Sequence, residues 1–483
     1  MTADPAQKVL FITGRLAEPA LRRTLAEASL PFATEIVVMP ISVAALMTTG
    51  WMAYHFKLPD SHPRHRRVPE DCSHVLIPGN CEGDVAELEQ VCGLPVSKGP
   101  IDLQDIPRHF GRVQSRPDYG AYSIEIMAEI QDALRLSEAD LLQRAAYYRA
   151  SGADVIDLGI TPGSTGETVA QVVQLLKASD YRVSVDTLDS AIIRQADAAG
   201  VDYVLSLNQQ NLSLGRELRA TPVVIPDEEG GVESLWRNAE QLWQWGVDCL
   251  LDPIAQPIGF GFSQSIVDLA QTRQRYPEAK LMLGTHHLSE LTDADSTGIN
   301  TLLMGLAQEL NLSFVLTTEV APWARGSIRE LDIARRLMHY ALNRGVPPKR
   351  IEEGLLTVKD SRLLRQDRAT LEEMQAALTD PNVRIYLDQS QIYAFNNHVF
   401  AAGTDIELIF NQLEIREAGH AFYLGCELTK AQLALQLGKT YHQDRALRWG
   451  YLTVEEPSGS ERHRRLTGGR SSSNSSTPTE SNR

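Results

Sequence analysis

Between residues 122 and 345 the chain repeats the same unit eight times: a short apolar run, then a helical run. The apolar runs are IEIMAEI (124–130), ADVIDLG (153–159), YRVSVDT (181–187), VDYVLSLN (201–208), TPVVIP (221–226), VDCLLDP (247–253), AKLMLG (279–284) and SFVLTTE (313–319). A run apolar on both faces is a strand covered on both sides. Between them lie helical segments such as SEADLLQRAAYYRAS, ESLWRNAEQLWQWG and IRELDIARRLMHYALNRG, with only the fourth connection too short for a full helix. A doubly wound open sheet uses the same alternation. Eight consecutive units without a change of style, in about 225 residues, favour a single closed (β/α)8 barrel.

The flanks read differently. Residues 1–120 follow a βαβαβα order: KVLFITG (8–14), a helix over PALRRTLAEAS, EIVVMP (35–40), a helix over SVAALMTTGWMAYHF, SHVLIPG (73–79) and a helix over DVAELEQVCG. Right-handed crossovers then give a small parallel sheet. No GxGxxG fingerprint follows any of these strands, so a dinucleotide is not indicated. The basic run SHPRHRR (61–67) reads as an exposed loop, with an anion contact as its functional alternative, and the turn GNCEGD (79–84) sits where open α/β sheets bind ligands. Residues 365–455 form a third segment, with strands expected over VRIYLDQ, IYAFNNHVF and DIELIFNQ and an amphipathic helix over ELTKAQLALQLG, apolar at 428, 431, 433, 435 and 437. The Gly/Ser-rich end, 468–483, cannot bury enough surface to offset its ordering entropy and is expected to be disordered. The expected fold is therefore α/β: a (β/α)8 TIM barrel (122–345) flanked by an N-terminal small parallel α/β domain, Rossmann-like (1–120), and a C-terminal α/β module (365–455).

Composition narrows the function. The 483 residues carry 46 basic and 62 acidic side chains, a net charge of −16, which argues against nucleic acid or an anionic membrane as the main partner. Five cysteines without a CxxC pair make disulfide and zinc readings weak, and a reduced cytoplasm is the default. No basic n-region precedes the N-terminal apolar run, so no secretory signal is visible. The uncharged stretch from Ile36 to Tyr54 contains Pro40, Ser42 and Gly50 and reads as a strand followed by a buried helix, not as a membrane span.

Active sites of such barrels lie at the C-terminal ends of the strands. There the chain carries Asp157, Asp186, Asn208 and Asp252, then Thr285, His286 and His287 after strand seven, and Thr317, Thr318, Glu319 and Arg325 after strand eight. Carboxylates and one amide without a neighbouring lysine suit a ligand rich in N–H donors, because a carboxylate accepts two parallel hydrogen bonds from an amino group and an adjacent ring N–H. Each residue alone could instead cap a helix or shape a turn.

The segments ADVIDLG, VSVDT, VLSLN and LLDPIAQPIGFGF (250–262) resemble the pterin-binding barrel family of dihydropteroate synthases and methyltetrahydropterin-dependent methyltransferases. The resemblance implies that Asp252 holds the pterin 2-amino group and N3–H, that Asp186 and Asn208 read the remaining ring nitrogens, and that Asp157 matches the strand-two aspartate. Phe260 and Phe262 would flank the ring or serve the core. The synthases' basic loops are changed: GTHHLSE replaces a Ser-Arg-Lys run, LTTEVAPWAR replaces Arg-x-His, and ITPGSTGET keeps Ser164 and Thr165 but no arginine. The layout is similar to dihydropteroate synthase-related proteins of methanogens and of bacteria using tetrahydromethanopterin. The function it implies is a transferase joining a dihydropterin-methyl group to an arylamine in tetrahydromethanopterin or folate-type cofactor biosynthesis. Asp186, Asp252 and Arg325 would be catalytic. Ser164, Thr165, His286, His287 and Arg325 are the phosphate-side candidates, and Glu319 is a candidate ligand for Mg2+ arriving with a diphosphate. A methyltransferase using a methyl-tetrahydropterin, or a non-catalytic pterin-binding protein, are the alternatives. The expected partners are a pterin and an arylamine, with no nucleic acid or membrane. Homodimer formation stays open.

Overall fold

The structure is a computed structural model and describes residues 8–28, 30–100, 103–110, 119–161, 163–361, 363 and 365–456. The tail expected at 468–483 lies outside the described residues. Two compact units divide the chain: the residues up to Tyr122 with Arg336–Arg350, and Ser123–Arg335 with the residues from Ile351 onward.

The first unit holds a parallel sheet of β1 (Lys8–Gly14), β2 (Ala33–Met39), β3 (His74–Ile77) and β4 (Val96–Lys98), in the order β2-β1-β3-β4. Alternation along β1 gives the sheet two buried faces: Val9 and Phe11 pack with Leu21, Leu25 and Ile106, while Leu10 and Ile12 pack with Met39, Met52 and Leu88. The short β4 is an addition to the sequence reading. The helix expected over SVAALMTTGWMAYHF is broken into a 3-10 turn, Ala44–Leu46, and a helix, Thr49–Lys57. Thr48 breaks it by turning extended and accepting the Trp51 N–H as an N-cap. Among the described residues no helix is long and apolar enough to cross a membrane.

The second unit contains the expected closed barrel. Its eight parallel strands are β5 (Glu125–Ile130), β6 (Val155–Gly159), β7 (Val183–Asp186), β8 (Tyr203–Leu207), β9 (Thr221–Val224), β10 (Leu250–Leu251), β11 (Lys280–Gly284) and β12 (Phe314–Thr317). The short fourth connection is a 3-10 turn, Leu212–Arg216. Inward-facing Met127, Val155, Leu205, Val223, Leu250, Met282, Phe314 and Leu316 fill the interior as one cluster. The barrel is a packed core below and a mouth above.

Past the barrel, β13 (Arg384–Leu387), β14 (Ile392–Phe395) and β15 (Phe400–Gly403) form an antiparallel sheet covered by the helix Ala418–Leu437. IYAFNNHVF is thus two strands around a turn. DIELIFNQ, expected as a strand, is the helix Ile406–Gln412: the Asp405 carboxylate accepts from the N–H groups of Glu407 and Leu408, and that cap sets the local choice. The expected amphipathic helix is the second half of Ala418–Leu437, whose buried positions include Leu428, Ala431 and Ala434 while Leu433 is 37% exposed.

Candidate functional site

Strand periodicity builds the mouth from the core upward. Met127, Val155, Leu250 and Leu316 point inward. Two residues further along each strand, Glu129, Asp157, Asp252 and Thr318 therefore point the same way, one layer nearer the C-terminal end. In-register pairing sets Glu129 beside Asp157 and Asp157 beside Ser184, with Asp186 one layer above.

Asp157 is 1% exposed. Its Oδ1 accepts a 2.5 Å hydrogen bond from the Ser184 hydroxyl, and its buried Oδ2 has no hydrogen-bond partner among the described residues. Burial first, then the Asp186 charge, pushes its carboxyl up to about 7. Asp186 touches water inside the mouth while barrel wall surrounds it. That surrounding protein, then the charges of Glu129 and Asp252, raises its carboxyl to about 7. Asp252 accepts from the Ile254 N–H at 2.8 Å, and burial lifts it to about 6. Asn208 is buried. Its Oδ1 accepts from the Gln210 N–H and its own N–H donates to Asn211. The Nδ2 donor of Asn208 is left unpaired within the described protein.

Glu129 is the functional candidate that reading strand ends misses. Its carboxyl is raised to about 7 by burial, then by Asp157 and Glu290. It lies over Gly159, where a Cβ would sit 2.5 Å from Glu129 Oε1, so the glycine makes room for it. The sequence carries a signal for it only once the inward phase of the strand is known. If Ile124, Ile126, Ala128 and Ile130 face the helices, the other phase of IEIMAEI, including Glu129, must face the barrel interior.

The raised carboxyls make ligand-free stability depend on pH. Folded Glu129 holds its proton more tightly than the unfolded chain does. Its favourable contribution is complete below about 4.5 and is lost as pH rises through about 7. The partial exposure of Glu129 reduces both the burial penalty and the repulsion. Glu129→Gln should therefore match the parent near pH 4 and exceed it near pH 8 by on the order of 2 kcal/mol. Denaturant melts at the two pH values measure this, and a variant no more stable at pH 8 than the parent would show that neither burial nor the neighbouring carboxylates penalise an ionised Glu129.

The phosphate-side candidates do not form one cluster of cations. His286 is pushed down to about 4 by burial, then by His287, so it is neutral, with Nδ1 buried and without a hydrogen-bond partner among the described residues. Its ring lies 4.1 Å from that of His287. His287 Nδ1 donates to the Ala255 carbonyl at 2.7 Å, tying the loop after β11 to the loop after β10. Ser164 donates to the Thr161 carbonyl, and Thr165 caps the helix Gly166–Ala178 by accepting from the Thr168 N–H. Arg325 is exposed and forms no side-chain hydrogen bond among the described residues. Glu319, expected as a metal ligand, instead accepts from the Ile328 N–H and the Tyr147 hydroxyl, binding the start of the last barrel helix. Among the described residues no group of three or more His, Cys, Asp or Glu side chains is arranged to hold a metal ion. Phe260 is 80% exposed, which excludes the core role for it, and Phe262 opens the helix Phe262–Arg275.

The chain is similar to several known proteins. Residues 7–101 match a family of unknown function, DUF6513. An uncharacterized protein of Methanocaldococcus jannaschii is 26% identical over 525 residues, covering 90% of this chain and 98% of that protein. Similar solved structures include Yersinia pestis dihydropteroate synthase with a pterine-sulfa conjugate, at 17% identity over 46% of this chain and 94% of that one, TM-score 0.37. Another is the Thermus thermophilus dihydropteroate synthase in complex with 6HMPPP, at 16% identity over 45% of this chain and 93% of that one, TM-score 0.37.

Proposed function

We propose that the barrel mouth binds a reduced pterin and that the protein is a transferase of the dihydropteroate synthase kind, joining a dihydropterin-methyl group to an arylamine in tetrahydromethanopterin or folate-type cofactor biosynthesis. The observation that carries this reading is the set of acceptors at one end of the barrel: Asp157, Asp186 and Asp252, none ion-paired among the described residues, beside the free Asn208 amide. A pterin edge offers the matching donors: the 2-amino group and N3–H to Asp252, ring nitrogens to Asp186 and Asn208. Displacing the mouth water strengthens these bonds, and the two aspartates then stabilise positive charge on the ring as the leaving group departs.

Glu319, the candidate metal ligand, is already engaged by the Ile328 N–H and the Tyr147 hydroxyl. In this reading Mg2+ arrives with the diphosphate substrate. Arg325 is the cationic side chain beyond β12 available to meet it. Turnover should require Mg2+ and fall at least about 100-fold in Arg325→Ala, with pterin affinity little changed. Metal-independent turnover, with Arg325→Ala as active as the parent, would reject this division of labour.

The scarcity of cations favours a second reading, methyl transfer from a methyl-tetrahydropterin, which needs no diphosphate pocket. Incubation with 6-hydroxymethyl-7,8-dihydropterin diphosphate and aromatic amines separates the two: pyrophosphate release supports the synthase. Methyl transfer from a methyl-tetrahydropterin supports the second reading, and tight pterin binding without turnover supports a binding protein.

A further inference from the structure

We propose that Glu129 is the general base of this transferase, taking the proton that the amine nitrogen loses as it bonds to the pterin's exocyclic methylene. The inference rests on the synthase reading of the mouth and adds to it a residue that the family resemblance does not assign.

Position is the first argument. The closed order β10-β11-β12-β5-β6-β7-β8-β9 sets β10 opposite β6, with β5 and β7 on either side of β6. Asp252 follows β10, while Glu129 and Asp157 stand on β5 and β6. A pterin carries its 2-amino edge and its C6 methylene at opposite ends of the bicyclic ring. With the 2-amino edge on Asp252, the methylene points toward the β5–β6–β7 wall. Of the carboxyls on that wall, Asp186 is the one already assigned to the pterin ring nitrogens, and Asp157 is sealed in and bonded to Ser184. Glu129 stands beside it with a longer side chain and is only partly covered.

Availability is the second. The groups around Glu129 leave its carboxylate free. Thr318 donates its hydroxyl to the Glu129 backbone carbonyl, not to the side chain. Glu290, from the β11 side, is held by the N–H groups of Val320 and Ala321. His286 is neutral, and Asp157 and Asp186 are like charges. Among the described residues, Glu129 Oε1 and Oε2 have no hydrogen-bond or ion-pair partner. The Cβ-free surface of Gly159 gives that carboxylate its seat, and a buried, unpartnered Asp157 oxygen lies in the same layer.

The chemistry balances. The amine lone pair forms the C–N bond to the methylene carbon. The C–O bond breaks and its electron pair leaves on the diphosphate. The N–H proton passes to ionised Glu129, which later returns it to water. A carboxyl whose proton affinity is raised to about neutrality by burial and neighbouring charge is matched to such a transfer.

The test uses the full chain with 6-hydroxymethyl-7,8-dihydropterin diphosphate, Mg2+ and 4-aminobenzoate, following pyrophosphate release from pH 5 to 9, with pterin affinity by calorimetry. Glu129→Gln should lose about 100-fold or more in kcat and the acidic limb of the pH profile, and keep pterin affinity within about threefold. Glu129→Asp should recover part of the rate. Gly159→Ala, which displaces the carboxylate without removing its charge, should reproduce the kcat loss with pterin affinity intact. Glu129→Gln with parental turnover, or with turnover and pterin affinity lost in proportion, would overturn the assignment while leaving the synthase reading standing. A parent that binds the pterin and releases no pyrophosphate would overturn the synthase reading and this base with it.

Discussion

Replacing Arg335 with leucine is expected to destabilise the barrel unit by about 3–5 kcal/mol. The guanidinium is 1% exposed and fully engaged at the end of the barrel opposite the mouth. It donates to the Ile124 carbonyl at 2.8 Å, Asp154 at 2.5 Å, the Gly152 carbonyl at 2.9 Å and Asp332 at 2.8 Å. Asp154 in turn accepts from the Ile126 N–H at the start of β5, so one side chain joins the last helix to the entry of two strands. The glycine at 152 is required twice: its φ is +115°, and a Cβ there would meet Asp332 at 2.5 Å. Leucine would remove the cation from two carboxylates, which keep the Ile126 N–H and Arg329 as donors, and would take a donor from two carbonyls. Lysine keeps the charge but not the planar fork, so Arg335→Lys should fall between the parent and the leucine variant. Denaturant melts read the loss, and calorimetry on protein still folded should give parental pterin affinity. A leucine variant as stable as the parent would show that the aspartates are solvated and the network is incidental.

The same contrast between the ends of the barrel explains what the sequence could and could not reveal. The eight strands were legible because helices outside and packed side chains inside make each run apolar on both faces, and no surface strand has that look. Asp186, Asn208 and Asp252 were legible because they end such runs. Glu129 was not, since IEIMAEI has a glutamate at each end of its inward face, and these read as ordinary solvent-facing positions until the barrel fixes which phase is inside. Glu125 is the other one, and there the charge pairs with Arg182. DIELIFNQ reads as a strand yet folds as a helix for a local reason: seven helical residues show no resolvable period, and only the Asp405 cap separates helix from strand. The neutrality of His286 follows from burial, which no spacing of residues announces.

Asp252→Asn is expected to weaken binding of a reduced pterin by about 2–4 kcal/mol. The proposed bond is a carboxylate facing two N–H donors. An amide of the same shape offers one acceptor and turns an N–H toward a donor edge, which costs more than losing the bond. Of the carboxylate's two oxygens, Oδ1 is already fixed by the Ile254 N–H. That contact holds the side chain in one orientation, so little ordering entropy is spent when a ligand arrives. Folding should be spared, because burial of this carboxylate is unfavourable and raises its carboxyl to about 6. The neutral amide removes that strain, and the variant should be at least as stable as the parent above pH 7. Affinity lost and stability kept is the combination that marks a ligand-reading residue rather than a structural one. The same substitution at Asp186 should act in the same direction and less strongly, since the Asn208 amide shares its part of the ring. Calorimetric titration with a dihydropterin decides the matter: unchanged affinity in Asp252→Asn would mean that the pterin, if it binds, does not present its donor edge to β10.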